Sequence, residues 1–190
     1  MKIGVLALQG DFREHCEALK QIGADCREVR LPSDLSDLDG LILPGGESTT
    51  IGKLATTFGL FDPLKILSKS IPFWGTCAGL VFMARDVGRE QPVLGIMDIV
   101  VERNAFGRQV DSFEEDLEIK GVSEGPFHAV FIRAPEIKDV GPDVEVISRL
   151  NNGGIVAARQ GRMLVTAFHP ELTKDYRLHR YFLRMAAKSS

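Results

Sequence analysis

The pentapeptide Gly75-Thr76-Cys77-Ala78-Gly79 constrains the fold of this chain more than any other stretch. It follows the apolar run 71–74 directly and leads into a helical run that ends near Arg85. A nucleophile elbow of the G-x-S-x-G type, here with cysteine, requires a short strand to turn sharply into a helix. Glycines on both flanks leave the room that a side chain would fill. The turn places the thiol at a helix N-terminus, whose partial positive charge favours the thiolate. A buried core thiol inside a chance match remains an alternative for this segment taken alone.

A strand-then-helix step of this kind belongs in a parallel sheet, and the preceding sequence repeats it. Residues 2–8 form a short, almost wholly apolar run, as in a strand covered on both faces. Gln9-Gly10 turns the chain, and Asp11 opens a helix to about Ile22 with Phe12, Cys16, Leu19 and Ile22 on its apolar stripe. Gly23 occupies the position of a helix C-terminal glycine. Residues 26–31 read as a strand stopped by Pro32, residues 40–43 as another, 60–70 as a helix and 71–75 as a fourth strand. This alternation to about residue 85 predicts an α/β fold with a parallel sheet between helices. After that, strands are expected at 99–103, 117–119, 130–133, 144–150, 155–159 and 163–167, with a hairpin turn at Asn151-Asn152-Gly153-Gly154. Residues 175–188 close as a helix, with Leu178, Phe182 and Met185 on one face and Arg177, Arg180, Arg184 and Lys188 on a solvated one.

Composition removes several classes of function. The 190 residues fit one domain, expected to span 1–190. With 44% hydrophobic and 26% charged residues the chain is an ordinary globular protein. A net charge of -3 gives no electrostatic reason to expect nucleic acid. No apolar run approaches the roughly 20 residues that span a bilayer, and the N-terminal run is too short for a signal peptide. Cys16, Cys26 and Cys77 are odd in number and irregularly spaced, so neither a disulfide framework nor a zinc site is expected. Cys16 and Cys26 read as core thiols, and the chain as cytoplasmic.

Two further segments carry chemistry. Phe168-His169-Pro170-Glu171 follows the strand at 163–167. A cysteine nucleophile needs an imidazole held in one tautomer by a third group. In an extended stretch Glu171 points the same way as His169 and reaches the ring nitrogen turned away from the thiol. The loop Pro44-Gly45-Gly46-Glu47-Ser48-Thr49-Thr50 offers free backbone N–H groups before a helix. In elbow hydrolases one oxyanion donor is the N–H after the nucleophile, here Ala78, and the other comes from the loop after the third strand, here Gly45 or Gly46. The loop lacks the P-loop pattern, since Lys53 lies seven residues beyond Gly46 with no serine or threonine after it.

Together these segments resemble the triad-type (class I) glutamine amidotransferases. The blocks Leu8-Gln9-Gly10 with Glu14-His15, residues 44–50, and Val101-Glu102-Arg103-Asn104 through Phe106-Gly107-Arg108-Gln109 resemble those of the glutaminase subunits of pyridoxal 5′-phosphate synthases. So do Phe131-Ile132-Arg133-Ala134-Pro135 and Phe168-His169-Pro170-Glu171-Leu172-Thr173. The resemblance implies a flavodoxin-like three-layer fold, mostly parallel, with extra antiparallel strands in the second half. It implies a Cys77–His169–Glu171 triad and L-glutamine held by Gly46, Glu47, Ser48, Arg103, Ile132 and Arg133. It also implies no cofactor on this subunit, and ammonia channelled to a synthase partner with a (β/α)8 barrel. Gln9, Gly10, Glu14 and His15 are expected at the partner surface or completing the site; His15, His128 and His179 are outside the triad. Two rival readings share parts of the pattern: a stand-alone cysteine hydrolase on the same scaffold, and a binding subunit with a dead site.

Overall fold

Apolar runs too short for helices become strands that bury both faces, and their burial sets the architecture. The computed structural model describes residues 1–103 and 112–187. In chain order the first half contains β1 (Lys2–Leu6), α1 (Phe12–Gln21), β2 (Asp25–Val29), β3 (Gly40–Leu43), α2 (Ser48–Thr57), α3 (Phe61–Leu67), β4 (Phe73–Thr76) and α4 (Ala78–Met83). The second contains β5 (Ala84–Asp86), β6 (Met97–Glu102), β7 (Ser112–Leu117), β8 (Phe127–Ile132), β9 (Glu136–Val140), β10 (Glu145–Arg149), β11 (Ile155–Gln160), β12 (Met163–Thr166) and α5 (Arg177–Ala187). Short 3-10 turns lie at Pro32–Leu35 and Pro170–Leu172.

The main sheet runs β2-β1-β3-β4-β12-β11-β9-β6-β5, with β10 beside β11. Its first five strands are all parallel, and every residue of β3, β4 and β12 is buried. Beyond β12 the pairings β12–β11, β11–β9 and β9–β6 are antiparallel. β7 and β8 form a separate antiparallel pair. The fold is the expected flavodoxin-like α/β arrangement with an antiparallel extension.

The hairpin turn joins β10 to β11, where Gly153 adopts φ +90° and the Leu150 N–H donates to the Gly154 carbonyl. Three strands depart from the sequence expectation. β5 is only three residues long. β9 is Glu-Ile-Lys-Asp-Val with Ile137 alone fully buried, so it carries no apolar signature. Of the expected strand at 117–119 only Leu117 is strand, as the last residue of β7, where exposed Ser112, Glu114 and Asp116 alternate with more covered residues.

Cys16 and Cys26 are a correction: they are joined in a disulfide between α1 and β2. α1 packs on the strand it precedes and brings the two Cα atoms to 5.4 Å, a proximity that cysteine counting does not encode. The basic face of α5 is also more than a solvated face. Arg177 donates to the carbonyls of Ser123, Gly125 and Pro126 and pairs with Asp175, which fastens the segment leading into β8. Lys188, Asn104, Phe106, Gly107, Arg108 and Gln109 lie outside the described residues.

Candidate active site

The parallel order β1-β3-β4-β12 opens the carboxyl ends of four adjacent strands on one edge, where ligand sites of open α/β sheets form. Residues 9–11 follow β1, 45–48 follow β3, Cys77 follows β4 and 169–171 follow β12.

Cys77 stands between β4 and α4 with φ 46° and ψ −103°, a strained backbone for a residue with a side chain. Its N–H donates to the Thr166 carbonyl of the neighbouring strand end, 2.8 Å away, and Sγ lies 3.9 Å from the Ile132 carbonyl. The close packing of the elbow explains its glycines: a Cβ on Gly75 would stand 2.6 Å from the Gly79 carbonyl carbon.

His169 is fixed by its backbone N–H to the Val130 carbonyl, and its Nδ1 lies 2.7 Å from Oε1 of the fully buried Glu171 side chain. The expected pair therefore forms, but not through extended chain. Pro170 opens a 3-10 turn, suited to its fixed φ, and the turn curls the carboxylate back onto the ring. A second carboxylate, Asp11 Oδ2, lies 3.4 Å from the same nitrogen. Asp11 reads in the sequence as a helix N-cap; it does precede α1, but its side chain makes no capping hydrogen bond. Burial disfavours a charged His169, yet hydrogen bonding to Asp11, Cys77 and Glu171 outweighs it and pushes the imidazole up to about 12. The ligand atoms of Asp11, His169 and Glu171 fall within 4.8 Å of one another, close enough for a metal ion. The short Nδ1–Oε1 bond already engages the histidine nitrogen, so the trio reads as a histidine oriented by carboxylates.

A cavity of about 420 Å³ opens over the thiol, within the roughly 300–1,000 Å³ usual for small-molecule sites. Cys77, Ala78 and His169 line it, together with Gly46, Glu47 and Ser48 of the glycine loop and with Arg103, Ile132 and Arg133. Gly45 lies behind this surface: its carbonyl accepts the Asp11 N–H, and a Cβ there would stand 2.5 Å from His169 Cε1. Arg133 has φ 46°, a second strained residue at the rim. Gln9 Oε1 accepts the Glu47 N–H at 2.7 Å and ties the end of β1 to the loop.

Glu47 caps α2 by accepting from the N–H groups of Thr49 and Thr50. Its burial works the other way, but these bonds and the Thr50 hydroxyl hold its carboxyl below the usual range. Arg103 donates to Glu47 Oε1 at 3.0 Å and to Gln91 Oε1 at 2.8 Å. Gln91 in turn reaches the Ser48 hydroxyl at 3.3 Å. Neither Gln91 nor Asp11 is marked as a site residue by the sequence.

Two more histidines lie behind His169 and Glu171, both fully buried. His15 Nδ1 is 3.1 Å from His179 Nε2, and His15 Nε2 is 3.1 Å from Thr76 Oγ1 and 3.3 Å from Glu171 Oε2. Of the two places expected for His15, the partner surface and the site itself, its full burial beside Glu171 leaves the second. Burial lowers His179 to about 4 and carries His15 well below its ordinary value, where His179 and His169 add to the effect. The unfolded chain binds protons on these imidazoles that the folded chain refuses. Their stabilisation is therefore complete above about pH 6.5 and is lost as pH falls, in the case of His179 toward about 4. Glu171, raised by burial, works in the opposite direction above the ordinary carboxylate range, one group against two. The His169 contribution is constant below its unfolded value. Between pH 6.5 and 4.5 the unfolding free energy should fall by about 3 kcal/mol, measured as urea midpoints along a pH series. A flat profile would contradict neutral burial of the pair. His128, by contrast, is exposed and paired with Asp116 and Glu114, far from this chemistry in role.

With this geometry in view, the chain belongs to the SNO glutamine amidotransferase family, whose model matches residues 5–188. It is 57% identical over 191 residues to the pyridoxal 5′-phosphate synthase subunit PdxT of Pelotomaculum thermopropionicum, covering 100% of this chain and 97% of that one. It is 56% identical over 188 residues to the same subunit of Thermus thermophilus, covering 97% of each. A solved glutamine amidotransferase superposes with TM-score 0.93 at 54% identity, over 97% of this chain and 98% of that one. The PurLQS structure from Thermotoga maritima, at 16% identity and TM-score 0.68 over 96% and 97% of the chains, shares the fold alone. Among the described residues no helix is long and apolar enough to cross a membrane.

Proposed function

We propose that this chain, as a single amidotransferase domain over 1–190, is the glutaminase of a pyridoxal 5′-phosphate synthase. It hydrolyses L-glutamine to glutamate and ammonia and passes the ammonia to a (β/α)8-barrel synthase subunit. The observation that carries the reading is Cys77 at a strained elbow on one cavity with His169, with Glu171 2.7 Å behind the imidazole.

In this reading the Cys77 thiolate attacks the side-chain carboxamide carbon of glutamine. The Ala78 N–H and the Gly45–Gly46 loop receive the developing oxyanion. His169 gives a proton to the departing nitrogen as the C–N bond breaks, leaving a γ-glutamyl thioester and ammonia. It then takes a proton from water, whose oxygen attacks the thioester and releases glutamate and the thiolate. Glu171 stays ionised and holds the imidazole in the productive tautomer. Gly46, Glu47, Ser48, Arg103, Ile132 and Arg133 surround the amino-acid end of the substrate, where a guanidinium suits a carboxylate and a carboxylate suits an ammonium. The steps ask for no cofactor; pyridoxal phosphate is the product of the complex.

The test is glutamate release from L-glutamine, with and without the cognate synthase subunit. Release that the synthase stimulates is the expected result, and no release with the synthase present overturns the reading. Arg103→Leu should raise KM for glutamine about tenfold or more while kcat changes less, because its loss removes ground-state binding and loosens Glu47. Steady-state kinetics on the complex checks this.

A further inference from the structure

The triad carboxylate has two oxygens, and only one of them is explained by the mechanism. Glu171 Oε1 meets His169, while Oε2 is buried and makes no well-aligned hydrogen bond with any described residue. His15 Nε2 stands 3.3 Å from it. We propose that His15 is a positioning residue of the triad, which holds the outer oxygen of Glu171 at the end of a buried His179–His15–Glu171 chain. This deepens the glutaminase reading and rests on it.

Support of Glu171 by His15 requires one protonation pattern. A carboxylate only accepts, so a neutral His15 that supports Glu171 carries its proton on Nε2. Its Nδ1 is then an acceptor, and the His179 nitrogen 3.1 Å away must donate. That leaves His179 Nδ1 as a bare lone pair, and this atom is the other buried side-chain atom without a partner among the described residues. The orphan falls where the chain of donors ends, and an unpaired acceptor there costs less than a buried N–H. The same Nε2–H faces Thr76 Oγ1 at 3.1 Å and Glu171 Oε2 at 3.3 Å, so the hydroxyl of the strand that carries the nucleophile and the carboxylate share one donor. The groups facing His15 are Glu171 and His169 beside the 3-10 turn and His179 on α5. β4 supplies the Thr76 hydroxyl and the Trp74 ring edge.

The consequence is functional. Burial favours the protonated form of Glu171, and a protonated carboxyl cannot hold the His169 N–H in the tautomer that catalysis uses. A donor on Oε2 favours the carboxylate and keeps Oε1 turned toward His169. His15 acts through Glu171 and touches no substrate.

Two measurements on the full chain test this. Nitrogen-15 NMR of the histidine side chains, with the His15 signals identified by their loss in His15→Gln, should show His15 neutral and protonated on Nε2 at pH 7. An Nδ1-protonated or charged ring overturns the proposal. Glutaminase kinetics of the complex with the synthase should show kcat for His15→Leu lower by roughly 10–100-fold, the rate equivalent of one hydrogen bond to a charged group. KM should be nearly unchanged and the acidic limb of the kcat profile moved to higher pH. Gln places an amide N–H where Nε2 was and should restore both rate and limb; Asn, one methylene shorter, should not. Equal losses for Leu and Gln, or an unmoved limb, overturn the proposal. If the leucine variant fails to fold, the Asn–Gln comparison decides alone. A wild-type complex that releases no glutamate defeats the glutaminase reading instead, and the NMR tautomer then still judges His15.

Discussion

Cys77→Ala is expected to leave the chain folded and to cut glutamate release by about 10⁵-fold, as loss of a nucleophile does in enzymes whose catalytic residues act as a unit. The substitution removes one sulfur from a nearly buried position and adds no atoms, and alanine takes on the same positive φ that the loop already imposes. Thermal unfolding should therefore move little while turnover falls to background. His169→Ala should come close to the same floor. The double variant should be no worse than either single one, because a base without a nucleophile has nothing to activate. Glutamate release from the three proteins with the synthase present makes the comparison. Turnover above a hundredth of wild type in the cysteine variant, or losses that multiply in the double variant, would contradict the assignment of Cys77 and His169 to one catalytic unit.

The site was legible in the sequence where chemistry forces local geometry, and illegible where it depends on distant chain. Gly75 and Gly79 announce the elbow because no larger residue fits its turn. His169 and Glu171 are two residues apart, so almost any backbone that brings one brings the other; a 3-10 turn served as well as the extended chain that was expected. Asp11 has the ordinary credentials of a helix N-cap, and only the meeting of the segments that follow β1 and β12 brings its carboxylate to His169. Gln91 lies in a stretch without periodicity, and its contacts exist only because Arg103, just past the end of β6, comes alongside it. His15 and His179 each fall on the apolar stripe of their helix, so their burial could be read from the spacing, but they are 164 residues apart and their meeting could not. The parallel half of the sheet follows the apolar runs closely. The antiparallel half was read less completely, since β7 and β9 fully bury one side chain each and their pairing is decided by neighbours. The Cys16–Cys26 disulfide belongs with these long-range facts: it depends on how α1 docks beside β2.

Gly79→Ala is expected to damage stability and activity together, and its cause is a single atom. A Cβ on Gly79 would stand 1.8 Å from the Leu43 carbonyl oxygen and 2.6 Å from the carbon that bears it. Both are backbone, so no side-chain rotation relieves the clash. α4 must lift from β3, or the end of β3 must move, and Leu43 is the last residue before the loop carrying Gly45 and Gly46. The strain is thus delivered to both walls of the proposed oxyanion site. Overpacking in a core usually costs about 1–3 kcal/mol, and a clash with fixed backbone belongs at or beyond about 4. Urea unfolding should show that loss, or the variant should fail to accumulate as folded protein. Gly153→Ala is the control. Gly153 has φ +90° in the β10–β11 turn, with nothing within 4 Å of an added Cβ. It should lose only the roughly 1–2 kcal/mol of a left-handed backbone and keep wild-type glutaminase activity. Near-wild-type stability in Gly79→Ala, or equal losses in the two variants, would mean that close packing of α4 on β3 does not hold the elbow in place.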